Sequence, residues 1–120
     1  MNVALWISGK LDGQVALAWA KEHEHVPVCF LSMDGTKISL QWASNNLDTL
    51  KKVSDANKLD LLFKSVKKTG DDNFNALDAL LSYAKNKYGA EAVAVSKEPA
   101  VAHPISNAAR RMKMKTVLMK

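Results

Sequence analysis

Short apolar runs alternate with longer amphipathic stretches along the whole of this sequence, and that alternation restricts the fold more than any single motif. The apolar runs predict five strands, over 3–7, 26–32, 61–66, 92–95 and 116–119. Apolar residues that recur at spacings of three and four predict helices between them, over 12–24, 40–57 and 71–88 and from 104 onward. Strands that alternate with helices predict an α/β fold, a three-layer α/β/α sandwich around a parallel sheet.

Composition is consistent with one globular domain. The 120 residues are 48% apolar and 24% charged, a balance typical of a chain that folds around a single core. No apolar run reaches the ~20 residues that a membrane span needs. Lys10 and Asp12 stand where a signal peptide would be apolar, and the single cysteine, Cys29, lies inside a predicted strand. We therefore expect a cytoplasmic protein, with Cys29 as a small core residue.

The first predicted strand runs directly into a glycine-containing turn, residues 8–13, which reads Ser-Gly-Lys-Leu-Asp-Gly. Between a parallel strand and a helix, such a turn directs backbone N–H groups toward one space at the positive end of the helix. That arrangement suits an anion, most often a phosphate group. The alternative is a tight turn in which Asp12 only caps the first helix.

Ligands of parallel α/β sheets bind at the carboxyl ends of the strands, where the strand order reverses. Besides residues 8–13, the polar segments predicted at that edge include Ser32, Met33 and Asp34 after the second strand, and Ser96 and Lys97 after the fourth. Asp34 could accept hydrogen bonds from ribose, or form only an Asp-Gly turn. His103 could act as an acid or base, or serve as a cap beside a helix start.

The turn after the first strand resembles the PP-loop of N-type ATP pyrophosphatases, whose motif reads S-G-G-x-D-S. Ser8, Gly9 and Asp12 match it in register, whereas Lys10 stands at the second glycine and Gly13 at the final serine. Residues 17–33 and 70–96 also resemble the diphthine–ammonia ligase branch of that family. The wider superfamily of adenine-nucleotide α-hydrolases (HUP domains) includes universal stress proteins. Its members share a Rossmann-like sheet, commonly ordered 3-2-1-4-5.

The resemblance implies a domain that binds ATP or AMP. Ser8, Gly9, Lys10, Asp12 and Gly13 would surround the phosphates, with Asp12 as a ligand of Mg²⁺. The segment after the second strand would meet the nucleoside, and the segment after the fourth would form the far wall. In a catalytic member, a substrate oxygen would attack the α-phosphate and release pyrophosphate.

Other functions remain open from the sequence. The same fold could act without a ligand as an interaction module, dimeric through its last helix and strand 116–119, or as a nucleotide sensor like the universal stress proteins. The formal net charge of +5 also allows RNA binding, but the basic residues are spread over several elements, which is typical of a solvated surface. His23 and His25 are two residues apart at a predicted helix end, which favours a solvated terminus over a metal site.

Overall fold

The computed structural model describes residues 1–7, 13–34, 47–65, 71–97 and 99–119. Within these ranges the strands are β1 Asn2–Trp6, β2 Val26–Asp34, β3 Leu61–Ser65, β4 Ala92–Ser96 and β5 Lys115–Met119. The helices are α1 Gly13–Glu22, α2 Leu47–Ala56, α3 Asp71–Tyr88 and α4 Pro99–Arg111. The predicted order of elements is therefore confirmed, and the predicted α/β class with it.

The five strands form one sheet in the order β3-β2-β1-β4-β5, and every neighbouring pair is parallel. This is the order that the resemblance implied. Helices α1 and α2 contact each other on one face of the sheet, and α3 and α4 contact each other on the other. The result is a Rossmann-like three-layer sandwich in which β1 is the central strand.

Two apolar clusters fill the space between the sheet and its helices. Alternate residues of β1 divide between them, because successive side chains of a strand point to opposite faces. Val3, Leu5 and Ile7 pack toward α1, whereas Ala4 and Trp6 pack toward α3 and α4. Trp6 and Trp19 are both buried.

Pro27 lies in an inner strand, and the sheet adapts to its missing N–H group. Val3 pairs with Pro27 but the next residue, Ala4, pairs with Cys29, so Val28 is extra and the β1–β2 ladder has a bulge there. The pairing of β2 with β3 begins only at Phe30. The proline therefore lies before the part of β2 that has a neighbour on both sides, which is where a strand tolerates it.

The last helix begins earlier than predicted. We predict a helix starting at Pro104, but α4 starts at Pro99 and contains Pro104 in its interior. Either proline could occupy a first helical position, where a missing N–H costs nothing. With Pro99 there, Ala102 is buried in the same cluster as Ile105, and Pro104 leaves one hydrogen bond of the helix unmade.

The predicted start of the second helix at residue 40 lies outside the described residues. The other element ends are within two residues of the prediction, with one further correction. The predicted turn after the second strand is wrong at Met33 and Asp34, since β2 continues through both and pairs them with β3. The end of α3 is confirmed: Gly89 adopts a left-handed backbone with φ of 71°, and its N–H donates to the carbonyl of Lys85. No helix in the described ranges has the length and hydropathy of a membrane span.

Cys29 is fully buried on the α3–α4 face of β2, as predicted for a core residue. Burial raises the pKa of its thiol to about 12, and the Asp60 carboxylate adds to the shift. Because the thiolate is the reactive form, we expect iodoacetamide at pH 8 to label the native chain at least about a hundredfold more slowly than the urea-unfolded chain. Mass spectrometry gives both rates, and equal rates would contradict the burial described.

Candidate functional site

The carboxyl ends of β1 and β4 lie side by side at the point where the chain order of the sheet reverses. From β1 the chain continues outward through β2 and β3, and it then crosses to the other side of β1 to form β4 and β5. Leu5 of β1 pairs with Ala94 of β4, and Trp6 pairs with Leu31 of β2. In a sheet of this kind, the crevice outside these strand ends is the expected place for a ligand.

Gly13 begins α1 and is buried against α2. A Cβ atom placed on Gly13 would lie 2.7 Å from Val53 Cγ1, closer than real Cβ contacts, and about 3.5 Å from the ring of Phe30. The backbone of Gly13 does not have a positive φ, so packing and not backbone conformation requires a glycine there. Gly13, which the resemblance places among the residues around the phosphates, therefore also lets α1 approach α2.

Ser32 is fully buried, and its hydroxyl connects β2 to the end of β1. The Oγ donates a hydrogen bond of 3.2 Å to the carbonyl of Ile7, while the N–H of Ile7 donates to Leu31 O at 2.9 Å. Ser32 alternates with Leu31 and Met33 along β2, so it faces α1. These two bonds fix the position from which the chain leaves β1.

The Met33 side chain is fully buried in the cluster under α3 and α4, so its side chain takes no part in a site at the sheet edge. Asp34 is the last residue of β2 and pairs with Ser65 of β3. A nucleoside at this position would therefore meet strand backbone at Met33, and not the loop that the sequence predicts.

Two buried polar atoms at the ends of the central strands have no hydrogen-bond partner among the described residues. They are the Trp6 Nε1 donor of β1 and the Ser96 Oγ of β4. Ser96 follows Ala92 and Ala94 in alternation, so it faces α1, on the same side as Ser32. Trp6 faces α3 and α4. Buried polar groups are normally paired, so each of these atoms is left for a partner that the described residues do not supply.

Lys97, which we predict to share a wall with Ser96, lies on a different surface. It is exposed and lines an open groove of about 440 Å³ between α4 and β5. His103 and Arg110 of α4 line the same groove. Sequence reasoning missed this grouping because a polar helix face normally indicates solvent, although the spacing of 103, 106, 107 and 110 places these four residues on one face.

The remaining predicted site residues, Ser8, Gly9, Lys10 and Asp12, lie outside the described residues. The described residues contain no group of three or more His, Cys, Asp or Glu side chains that could hold a metal ion. The predicted Mg²⁺ ligand, Asp12, thus stays a prediction from the sequence.

The end of α1 carries a stack of rings that the sequence did not predict. The centroid of the Trp19 ring lies 4.8 Å from the centroid of the His23 ring and 5.2 Å from that of the His25 ring. The interplanar angles are 27° and 29°. His23 Nδ1 donates to the carbonyl of Trp19 at 2.9 Å. The predicted solvated terminus is confirmed for His23, which is exposed, and wrong for His25, which is half-buried.

The chain was compared with protein-family models, with curated proteins and with solved structures. None of the three comparisons found a match.

Proposed function

We propose that the chain binds an adenine nucleotide, ATP or AMP, outside the carboxyl ends of β1 and β4. The observation that carries this proposal is the buried Ser96 Oγ, which has no partner among the described residues and lies beside the reversal of strand order. A hydroxyl in that position can donate to a phosphate or ribose oxygen.

The start of α1 supports the same position. The helix dipole places a partial positive charge at Gly13, and the first turn of α1 itself contains no acidic residue. In the sequence, Ser8, Gly9 and Lys10 come between the end of β1 and this helix. Ser8 and Gly9 match a phosphate-binding motif, and Lys10 stands at the position of its second glycine. Lys10 would interact with phosphate as a point charge in place of the motif's second glycine.

Thermal melting with and without nucleotide tests the proposal. ATP or AMP at a hundred times its Kd adds ~2.7 kcal/mol to the free energy of unfolding, which is a rise in Tm of roughly 10 °C for a domain of this size. Each nucleotide is measured with and without Mg²⁺, because an ATP shift that needs Mg²⁺ and is lost in Asp12→Ala would support Asp12 as the metal ligand.

Variants locate the site. Ser96→Ala removes a buried hydroxyl that has no partner among the described residues, so we expect the free protein to be at least as stable and the nucleotide-induced rise in Tm to shrink. Lys10→Ala should reduce the shift in the same way, and Ser82→Ala, a matched change in α3, should leave it unchanged. Flat melts with every nucleotide, or shifts that survive both Ser96→Ala and Lys10→Ala, would overturn the proposal and favour the interaction module.

A further inference from the structure

The groove between α4 and β5 combines positive charge with neutral hydrogen-bonding groups. Lys97 lies at one end of the groove, beyond the carboxyl end of β4, and Arg110 belongs to the last turn of α4. Ser106, Asn107 and Thr116 line the space together with these two cations. Among the described residues that line it there is no carboxylate, so no acidic side chain there offsets the charge.

Neighbouring cations, by contrast, have partners. Arg111 forms an ion pair with Asp78, with Nη2 2.7 Å from Oδ1, and Lys85 donates to the carbonyl of Met112 at 2.9 Å. Within the described part of the chain, neither the Lys97 ammonium nor the Arg110 guanidinium has a hydrogen bond or an ion pair. As far as the described residues show, the groove therefore presents two cationic side chains without a partner on a concave surface.

The strand beside the groove is the last of the sheet among the described residues. The N–H of Lys115 donates to the carbonyl of Glu91, so the amide of Lys115 faces β4. Backbone amides alternate in direction along a strand, and those of Thr116 and Leu118 therefore face outward. The side chains of the same two residues line the groove, and Leu118 is 45% exposed.

We propose that an extended acidic segment of a partner protein adds to β5 as a sixth strand, with alternate side chains in the groove. Main-chain hydrogen bonds to Thr116 and Leu118 would supply affinity, as in other cases of strand addition. Because side chains of a strand alternate with period two, acidic residues at every second position would meet Lys97 and Arg110.

Charge decides between this partner and the other possible occupants. A second copy paired through β5 would bring two sets of Lys97 and Arg110 to one interface, and like charges there oppose association. The opposite sheet edge, at β3, favours an acidic segment less, because the groove beside it contains Asp55 and Asp60 together with Lys51. The observations therefore favour an acidic partner at β5.

Synthetic peptides test the proposal with the full 120-residue chain, by calorimetry and by amide chemical shifts. The probe is a capped hexapeptide that alternates glutamate and valine, and the charge control alternates lysine and valine. Two further peptides carry N-methyl groups on every glutamate or on every valine. Only alternate amides of an added strand pair with β5, so one methylated peptide should bind like the probe and the other at least about tenfold more weakly.

Variants of the protein complete the test. Lys97→Gln with Arg110→Gln should weaken binding about fivefold, since two exposed charge pairs are lost. Arg111→Gln removes one charge of the same kind outside the groove and should have no such effect. Thr116→Pro removes an outward N–H while sparing the bonds to β4, so it should weaken binding with an unchanged circular dichroism spectrum.

Four results would overturn the proposal: no binding of the probe, equal binding of the two methylated peptides, unchanged affinity in the double variant, or a homodimer that Thr116→Pro dissociates. The rise in Tm that ATP or AMP produces should be the same for Arg110→Gln as for the unmodified protein. The two proposals can therefore fail separately.

Discussion

Replacing Phe30 with alanine is expected to lower the free energy of unfolding by about 3–5 kcal/mol. Phe30 is fully buried in β2, between Leu5 of β1 and Leu61 of β3, and its ring lies beneath the start of α1. Its removal leaves a cavity that the surrounding sheet cannot close, because strand pairing holds the backbone on both sides. Urea denaturation monitored by circular dichroism measures the loss.

Val26→Ala is the matched control for this change. Val26 belongs to the same strand but is 55% exposed, so its truncation should alter stability by no more than about 0.5 kcal/mol. A loss below about 1 kcal/mol for Phe30→Ala, with an unchanged m-value, would contradict the core packing described for this face of the sheet.

Gly13→Ala is expected to destabilise the protein by about 1–3 kcal/mol, because the new methyl group would overlap Val53 Cγ1. Valine in a helix strongly prefers one side-chain rotamer, so Val53 cannot simply turn away. Val53→Ala removes the overlapping atom, and the double variant should therefore lose less stability than the two single variants together.

The same pair of variants separates the two reasons for a glycine at the start of α1. If packing alone requires a glycine at position 13, nucleotide should raise the Tm of the double variant as much as it raises the Tm of Val53→Ala. A shift that disappears in the double variant would mean that the nucleotide approaches Gly13 itself. Additive losses of stability would contradict the close contact between α1 and α2.

The sequence predicted the elements and their class because the signals are local. Apolar runs and helical spacing depend on a few neighbouring residues, and they identified all five strands. The predictions for the end of β2 and the start of α4 were wrong. Met33 continues the strand because β3 pairs with it, and either Pro99 or Pro104 could have been the first residue of the helix. Tertiary packing decided both cases.

The candidate site was predictable only as an edge of the sheet. The alternation of β1 to β5 indicated which segments reach the carboxyl ends, but the surface on which each side chain lies depends on register and burial. Ser96 and Lys97 are neighbours in sequence, yet the Ser96 hydroxyl is buried and the Lys97 side chain lines the groove between α4 and β5. The ion pair of Arg111 with Asp78 likewise depends on the packing of α4 against α3, and the Arg110 side chain has no partner among the described residues.

The central position of β1 has a consequence for the order in which the sheet can assemble. The partner of β1 on one side, β2, follows within about thirty residues, whereas its partner on the other side, β4, begins only at Ala92. During synthesis, the three strands β1 to β3 can pair while one flank of β1 still lacks a neighbour. That apolar flank stays open until β4 pairs with β1, and β5 can add only after β4 is in place.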